Sequence, residues 1–236
     1  MGFVDVDTLY EERDNGKIEV KNDYMSVEET AMVEIDMKKS RFIGIAFHAE
    51  SEDEVHTIIG NLKKSNKNAK HVAYAYILGE ESTVAKNSDD GEPAGSAGSP
   101  IFEAIKTFHL TNTLVAVVRY FGGVELGKSR LTRVYNATAA GALSEAKKYK
   151  MVFCNEFEIK VTYQNYGGIN KLFTDSNVHV IEQKNDEIMP TIKIAVPFAA
   201  SDSIIGSIRE KTRGAGVISK YGTGYYKFPY IQNVQA

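Results

Sequence analysis

The feature that most constrains this fold is a glycine- and proline-rich loop placed between segments of buried-strand type. The loop, at residues 88–100, reads SDDGEPAGSAGSP, and a helix-length segment then leads to LVAVVRYFGG at residues 114–123. Five glycines and two prolines in this stretch predict a backbone held in fixed turns, which a ligand can approach closely. The stretch therefore indicates a binding surface before it indicates catalysis.

Length and composition limit the class of protein. The 236 residues are enough for one large domain or two small ones, and 43% hydrophobic with 25% charged residues is ordinary for a globular protein. The single Cys154 excludes an intrachain disulfide framework and favours a cytoplasmic location. The acidic N-terminus does not resemble a secretory signal, and no apolar run approaches the roughly 20 residues of a membrane span. We therefore expect no membrane contact.

The charge is distributed unevenly. Residues 1–60 carry 6 Lys and Arg against 15 Asp and Glu, whereas residues 101–150 carry 8 against 3. The basic segment follows the glycine-rich loop, and a local basic patch attracts phosphate even on a mildly acidic protein. A solvated helix face is the alternative interpretation.

The first part of the chain has mixed helix and strand patterns. A capping box at Ser51-Glu52-Asp53-Glu54 starts a helix whose apolar residues include Val55, Ile58, Ile59 and Leu62. Pro100 is expected at the first position of another helix. The remaining predicted elements are strands at residues 31–36, 41–48, 72–78, 83–87 and 113–119, and a helix at residues 129–148.

The second part predicts a β-α-β-β-α-β order, which is the ferredoxin-like arrangement. Phe157, Ile159, Val161 and Tyr163 alternate with polar residues as in a half-buried strand. The following elements are a helix at 169–176, strands at 178–184 and 188–196, a helix at 201–212 and a strand at 217–228. The predicted class is α+β, with an N-terminal arm or lead-in strand at 1–27, a first domain at 28–150 and a ferredoxin-like second domain at 151–236.

Several motifs together resemble the Impact/YigZ family, the UPF0029 group. They are KKSRFI at residues 38–43, VAYAY at 72–76, the loop at 88–100 and VRYFGG at 118–123. The resemblance covers roughly Asp23 to Lys220. It implies a first domain similar to domain 2 of ribosomal protein S5 and a second similar to domain V of elongation factor G.

The resemblance also implies a role. Both of those related domains work at the ribosome, and eukaryotic members of the family regulate translation by competing for the activator of a starvation-responsive kinase. We therefore expect a non-enzymatic protein that contacts RNA, the ribosome or a translation-related protein, with no cofactor. The partner and the oligomeric state are left open by the sequence.

The chain departs from the family pattern after the Gly-Gly pair. Where the family usually has KLGAGGLVRAY, residues 125–135 read ELGKSRLTRVY, so a lysine is replaced by Glu125 and two glycines by Ser129 and Arg130. Lys128, Arg130 and Arg133 leave the helix start basic. An anion at the amides of that helix N-terminus would gain from these side chains.

The predicted binding surface combines the loop, the strand end and the helix start. Its residues are Asp89, Asp90, Gly91, Glu92, Pro93, Gly95, Gly98, Arg119, Tyr120, Phe121, Gly122, Gly123, Lys128, Arg130 and Arg133. Arg119 either pairs with phosphate or forms an ion pair with Glu92 or Asp90. Tyr120 and Phe121 either stack on a base or close the core.

An enzymatic alternative uses the same loop. Asp90 and Glu92 would act with a divalent ion or a nucleotide in a small-molecule hydrolase, and His71 is the best general-base candidate. A turn in which aspartates cap neighbouring amides is the favoured interpretation, so no metal site is predicted. His71 is treated as a possible polar site, because no nucleophile with a spaced base accompanies it.

A protein-interaction module is the third hypothesis. Its partner would add a strand to the second domain or bind the aromatic C-terminal segment. The residues of that segment are Tyr221, Tyr225, Tyr226, Phe228 and Tyr230. Packing of these rings against the last strand is the alternative that we favour.

Overall fold

A computed structural model describes residues 12–13, 16–17, 22–176, 178–186 and 189–229. Two compact units are defined by their internal contacts: Tyr24–Lys150 together with Pro229, and Met151–Phe228 together with the described residues before Tyr24. Both contain helices packed on a sheet, so the predicted two-domain α+β class is confirmed. Most of the predicted arm at 1–27, and Tyr230 of the aromatic segment, lie outside the described residues.

The first domain is built on a five-stranded antiparallel sheet in the order β4-β5-β8-β6-β7. Two short paired strands, β1 (Glu12–Arg13) and β2 (Gly16–Lys17), come earlier in the chain. The elements of the domain are β3 (Tyr24–Val27), β4 (Ala31–Met37), β5 (Ser40–His48), α1 (Glu52–Ser65), β6 (His71–Leu78), β7 (Val84–Ser88), α2 (Gly98–Thr107), β8 (Thr113–Tyr120) and α3 (Lys128–Glu145).

The central strand β8 is buried on both faces, which explains its continuous apolar sequence. Val115 and Val117 belong to a core shared with α2 and α3. Leu114 and Ala116 belong to a separate core shared with α1. Because successive strand side chains point to opposite faces, one apolar run supplies both layers.

The second domain contains a four-strand path in the order β10-β11-β9-β12. Its elements are β9 (Lys148–Lys160), α4 (Tyr163–Asp175), β10 (His179–Lys184), β11 (Thr191–Pro197), α5 (Ser201–Lys211) and β12 (Val217–Pro229), with a 3₁₀ turn at Phe198–Ala200. Ile159, Ile169, Ile192 and Ile208 join two strands and both helices in one core. This element order confirms the predicted ferredoxin-like arrangement.

Four details of the sequence prediction are wrong. The helix predicted to extend to residue 148 ends at Glu145, and β9 begins at Lys148. Val27, assigned to an arm or lead-in strand outside the core, does lie in a strand but is fully buried in the first core. Pro100 is the third residue of α2 rather than the first, because the helix begins at Gly98. Tyr163 begins α4 instead of ending a strand.

The error at α4 has an identifiable cause. Tyr166, Ile169 and Phe173 are spaced as on one helix face and pack in the second core. Two glycines, Gly167 and Gly168, lie between them and lower the helix propensity of the segment. The helix therefore begins six residues before the predicted residue 169. Within the described ranges, no helix has the length and apolar character needed to cross a membrane.

Candidate anion-binding cavity

A cavity of about 240 Å³ lies where β6 begins and β8 ends. Antiparallel pairing of these two inner strands places His71 opposite Arg119, so residues distant in sequence meet at one end of the strands. The loop after β7 and the start of α3 supply the remaining wall. The cavity is lined by Lys70, His71, Gly91, Glu92, Pro93, Arg119, Phe121, Glu125, Leu126, Gly127, Lys128 and Leu131.

Two lining residues form a buried ion pair. Arg119 Nη1 donates to Glu92 Oε1 over 2.5 Å, and the two side chains are 4% and 3% exposed. The Tyr135 hydroxyl donates to the same oxygen at 2.8 Å. Burial, reinforced by the Glu92 carboxylate, raises the pKa of Tyr135. Of the two partners considered for Arg119, the structure therefore selects Glu92.

Asp90 connects the loop to its neighbours. Its carboxylate accepts from Lys63 Nζ at 2.5 Å and from the Val72 amide at 2.6 Å. Its carbonyl lies 2.8 Å from His71 Nδ1, and because a carbonyl only accepts, Nδ1 carries the proton. The other imidazole nitrogen, Nε2, lies 3.8 Å from Glu92 Oε1. His71 is thus held at the edge of the cavity by the loop backbone.

Asp89 caps α2 from outside the helix. Its carboxylate accepts from the amides of Gly95, Ala97 and Gly98 at 2.7, 2.9 and 2.8 Å. Burial raises the pKa of Asp89, but these three bonds and the charge of Lys128 outweigh that effect, so the pKa is lowered overall. This cap explains why α2 begins before Pro100.

Two glycines of the predicted surface are required by close packing. A Cβ added to Gly98 would lie 2.8 Å from Ser88 backbone, and one added to Gly122 would lie 2.1 Å from Lys39 backbone. Gly122 therefore allows the end of β8 to approach the β4–β5 turn. Gly123 follows in the exposed segment after β8.

The two aromatic residues at the end of β8 each contact a cation. The Tyr120 hydroxyl donates to Asn66 Oδ1 at 2.6 Å, and the guanidinium of Arg41 lies 4.6 Å from the ring centroid. Phe121 is 39% exposed, and Lys70 Nζ lies 4.4 Å from its ring centroid. Neither ring closes the core. Phe121 instead positions Lys70 beside the cavity through a cation–π contact.

The N-terminus of α3 forms one wall. The helix begins at Lys128 without a side-chain cap and without an acidic residue in its first turn. Its first amides therefore lack intrahelical acceptors and carry the positive end of the helix dipole. Arg130 and Arg133 are exposed on the same helix but do not line the cavity.

Four cations beside the cavity and on α3 lack an ion-pair partner among the described residues, although the charge of Lys128 acts on the Asp89 carboxylate. Among the residues that the structure describes, no ion pair is formed by Lys70, Lys128, Arg130 or Arg133. Lys70 and Glu125 line the cavity but do not belong to the surface predicted from the sequence. Lys70 could have been predicted from the sequence, because it immediately precedes His71. Glu125 stands out in the sequence only as a departure from the family pattern.

The described residues contain no group of three or more His, Cys, Asp or Glu side chains arranged to hold a metal ion. A serine–histidine–glutamate series does occur outside the cavity. Ser26 Oγ lies 3.0 Å from His48 Nδ1, and His48 Nε2 lies 3.1 Å from Glu50 Oε1. Ser26 is fully buried and also bonds the Asn112 carbonyl, so its hydroxyl cannot reach a substrate.

Comparisons with known proteins agree with the motifs. Residues 38–143 match the Impact N-terminal domain. The chain is 40% identical over 121 residues to the IMPACT family member YvyE of Bacillus subtilis, covering 51% of this chain and 56% of that protein. It is 25% identical over 182 residues to YigZ of Escherichia coli, covering 76% and 89%.

Two further comparisons extend over both domains. A solved structure described as a hypothetical protein has a TM-score of 0.55 at 23% identity, covering 86% of this chain and 99% of that chain, and it supports the fold alone. An IMPACT family member of Thermus thermophilus is 38% identical over 178 residues, covering 75% of this chain and 96% of that protein. By this match over nearly the whole length of a relative, the chain belongs to the IMPACT family.

Proposed function

We propose that this protein is a non-enzymatic regulatory protein linked to translation, which contacts RNA through its first domain. The observation that carries the proposal is a cluster of four cations at the cavity and the start of α3, none of which forms an ion pair with a described residue. They are Lys70, Lys128, Arg130 and Arg133. Phosphates of an RNA backbone are the natural counter-charges for such a surface, because their neutralisation releases condensed counterions.

The arrangement of the surface supports RNA rather than a diffuse charge effect. Lys128 and Arg130 lie in the first turn of α3, where the helix dipole adds to their charge, and Arg133 follows one turn later. The resemblance to ribosomal protein and elongation factor domains favours the same class of partner. A cytoplasmic location remains our expectation.

The hydrolase alternative is less well supported by the contacts. Asp90 is engaged by Lys63 and by a backbone amide, and Glu92 by Arg119 and Tyr135. Freeing either carboxylate to take a proton from a substrate would break buried or backbone-directed bonds. Binding requires no such rearrangement.

The test is RNA affinity measured by fluorescence anisotropy with a single-stranded oligoribonucleotide over a series of salt concentrations. We expect the logarithm of the affinity to fall linearly with the logarithm of the salt concentration. Arg130→Glu with Arg133→Glu should weaken binding across RNA sequences. It should also reduce the slope by about 1.4, at about 0.7 for each phosphate that the arginines no longer neutralise.

The matched control is Arg209→Glu with Lys211→Glu on α5, which makes the same charge change at two exposed positions of the second domain. It should leave the affinity close to that of the wild type. Equal weakening by both double variants would show only a net-charge effect and would contradict the proposal. Absence of RNA binding by the wild type would also reject it.

A further inference from the structure

We propose that the cavity is a pocket for a phosphate monoester, the group found on a phosphorylated RNA end and on a free nucleoside monophosphate. If the monoester is the end of an RNA strand, this inference rests on the function proposed above. The open face of α3 would contact the phosphodiester backbone, whereas the cavity would take a single terminal phosphate. The two parts of the surface thus have separable roles.

The cavity has several donors and one of them lacks an acceptor. Two of its lining residues are lysines, Lys70 just before β6 and Lys128 at the start of α3. The uncapped amides at the start of α3 adjoin Gly127, which also lines the cavity. Arg119 also lines it, is only 4% exposed, and its Nε has no hydrogen-bond partner among the described residues. Buried donors are normally paired, so an anion oxygen at this position would supply the missing acceptor.

The shape of the cavity favours a terminal phosphate over a phosphodiester within an RNA strand. One wall of the cavity is formed by His71, Glu92 and Arg119, which are each 9% exposed or less. An RNA strand that enters the cavity therefore cannot leave through this wall. A phosphodiester inside an RNA strand continues in both directions, whereas a monoester continues in one. A monoester also has three terminal oxygens for the lysines, the helix amides and Arg119. The volume of about 240 Å³ suits a phosphate with its attached sugar rather than a larger ligand.

Two carboxylates limit the positive charge of the pocket. Glu92 is neutralised by Arg119 at 2.5 Å. Glu125 is exposed, lines the cavity, and forms no ion pair with a described residue. A third carboxylate, Asp89, lies outside the lining and interacts with Lys128, but it is engaged by three backbone amides. The balance still favours an anion, because Lys70, Lys128 and the helix dipole act together against Glu125.

The experiment compares one oligoribonucleotide sequence with a 5′-phosphate, with a 3′-phosphate, or with hydroxyl groups at both ends. We expect a phosphorylated end to raise the affinity about tenfold, the effect of one charge-assisted hydrogen bond. Lys70→Ala with Lys128→Ala should remove this increase. The control, Lys64→Ala with Lys67→Ala, removes two exposed lysines outside the cavity and should retain it.

A second measurement is independent of RNA. Thermal unfolding is followed with increasing adenosine monophosphate or inorganic phosphate, and both should stabilise the wild type and the control but not the cavity variant. Stabilisation without any preference for RNA ends would support the pocket with a free nucleotide as its ligand. If neither a phosphorylated end nor the small phosphates have an effect that depends on Lys70 and Lys128, the inference is wrong. RNA binding that ignores terminal phosphates would leave the proposed function intact.

Discussion

The cavity region of the first domain and the sheet of the second domain use their charged side chains in different ways. In the first domain, Glu92 and Arg119 form an ion pair that is almost fully buried, while Lys128 and its neighbours on α3 remain unpaired among the described residues. In the sheet of the second domain, partly exposed residues pair with each other, as in Lys160–Glu158 at 3.3 Å and Lys184–Glu182 at 3.0 Å.

Lack of an ion pair does not by itself mark a binding surface, since Arg209 and Lys211 on α5 also form none with a described residue; Lys70 and Lys128 are set apart because they line a cavity. Lys193 also contacts Glu182, at 3.2 Å, so the charges on the sheet of the second domain are largely satisfied within the domain. A ligand there would have to break existing pairs before it gained new ones. Around the first-domain cavity an anion meets Lys70 and Lys128, which form no ion pair with a described residue, although Glu125 and Asp89 carry negative charge nearby.

The largest effect is expected for Glu92→Ala. Removing one partner leaves the Arg119 charge buried and unpaired, which should lower the free energy of unfolding by about 3–5 kcal/mol. Urea unfolding followed by circular dichroism measures the change. The control is Glu34→Ala, which removes the exposed partner of Arg41 in the same sheet. Similar small losses in both variants would show that the buried pair does not stabilise the first domain.

The second prediction concerns Asp89 and pH. Because its pKa is lowered by folding, its contribution is present above the unfolded value of about 4 and is lost as the pH falls through the folded value. Asp89→Asn replaces one carboxylate oxygen by an NH2 group that cannot accept from an amide, so the variant should be less stable than the wild type by about 1–2 kcal/mol at neutral pH. The difference should shrink in acid.

Chemical unfolding at several pH values tests the Asp89 prediction. Asp202→Asn, in the first turn of α5, is the control because it removes the same charge from an exposed position. A stability difference that stays constant from neutral pH to pH about 3 would contradict the capping role of Asp89.

The third prediction strengthens the anion site. Glu125→Lys should remove the unpaired negative charge of the cavity wall and raise the affinity for RNA or phosphate about threefold to tenfold. Glu145→Lys makes the same charge change at the opposite end of α3 and serves as the control. Anisotropy titrations at one salt concentration compare the two. Equal gains would assign the effect to net charge alone.

The smallest effect is expected for Glu182→Gln in the second domain. This substitution breaks exposed pairs with Lys184 and Lys193, and exposed pairs contribute little because solvent screens them. The thermal midpoint should not differ measurably from that of the wild type. A clear fall would mean that the exposed pairs act as a network and would weaken the contrast between the domains.

Most elements could be predicted because their signals are local. The alternation at Phe157, Ile159 and Val161 and the helical stripe at Leu131 and Val134 depend only on neighbouring residues, and all of these side chains are buried. The start of α2 could not be predicted in this way. It depends on Asp89, which lies eight or nine residues before the amides of Ala97 and Gly98 that it caps.

The sequence by itself determined the family, the α+β class and the segments that contribute to the candidate site, because motifs and periodicity are read along the chain. The tertiary structure decided which partner each charge has. Only strand pairing brought Lys70 and His71 beside Arg119, and only folding placed Glu92 in contact with Arg119 and Tyr135. Ion pairs and cavities depend on distances of a few ångströms between segments far apart in the chain, and no local pattern encodes those distances.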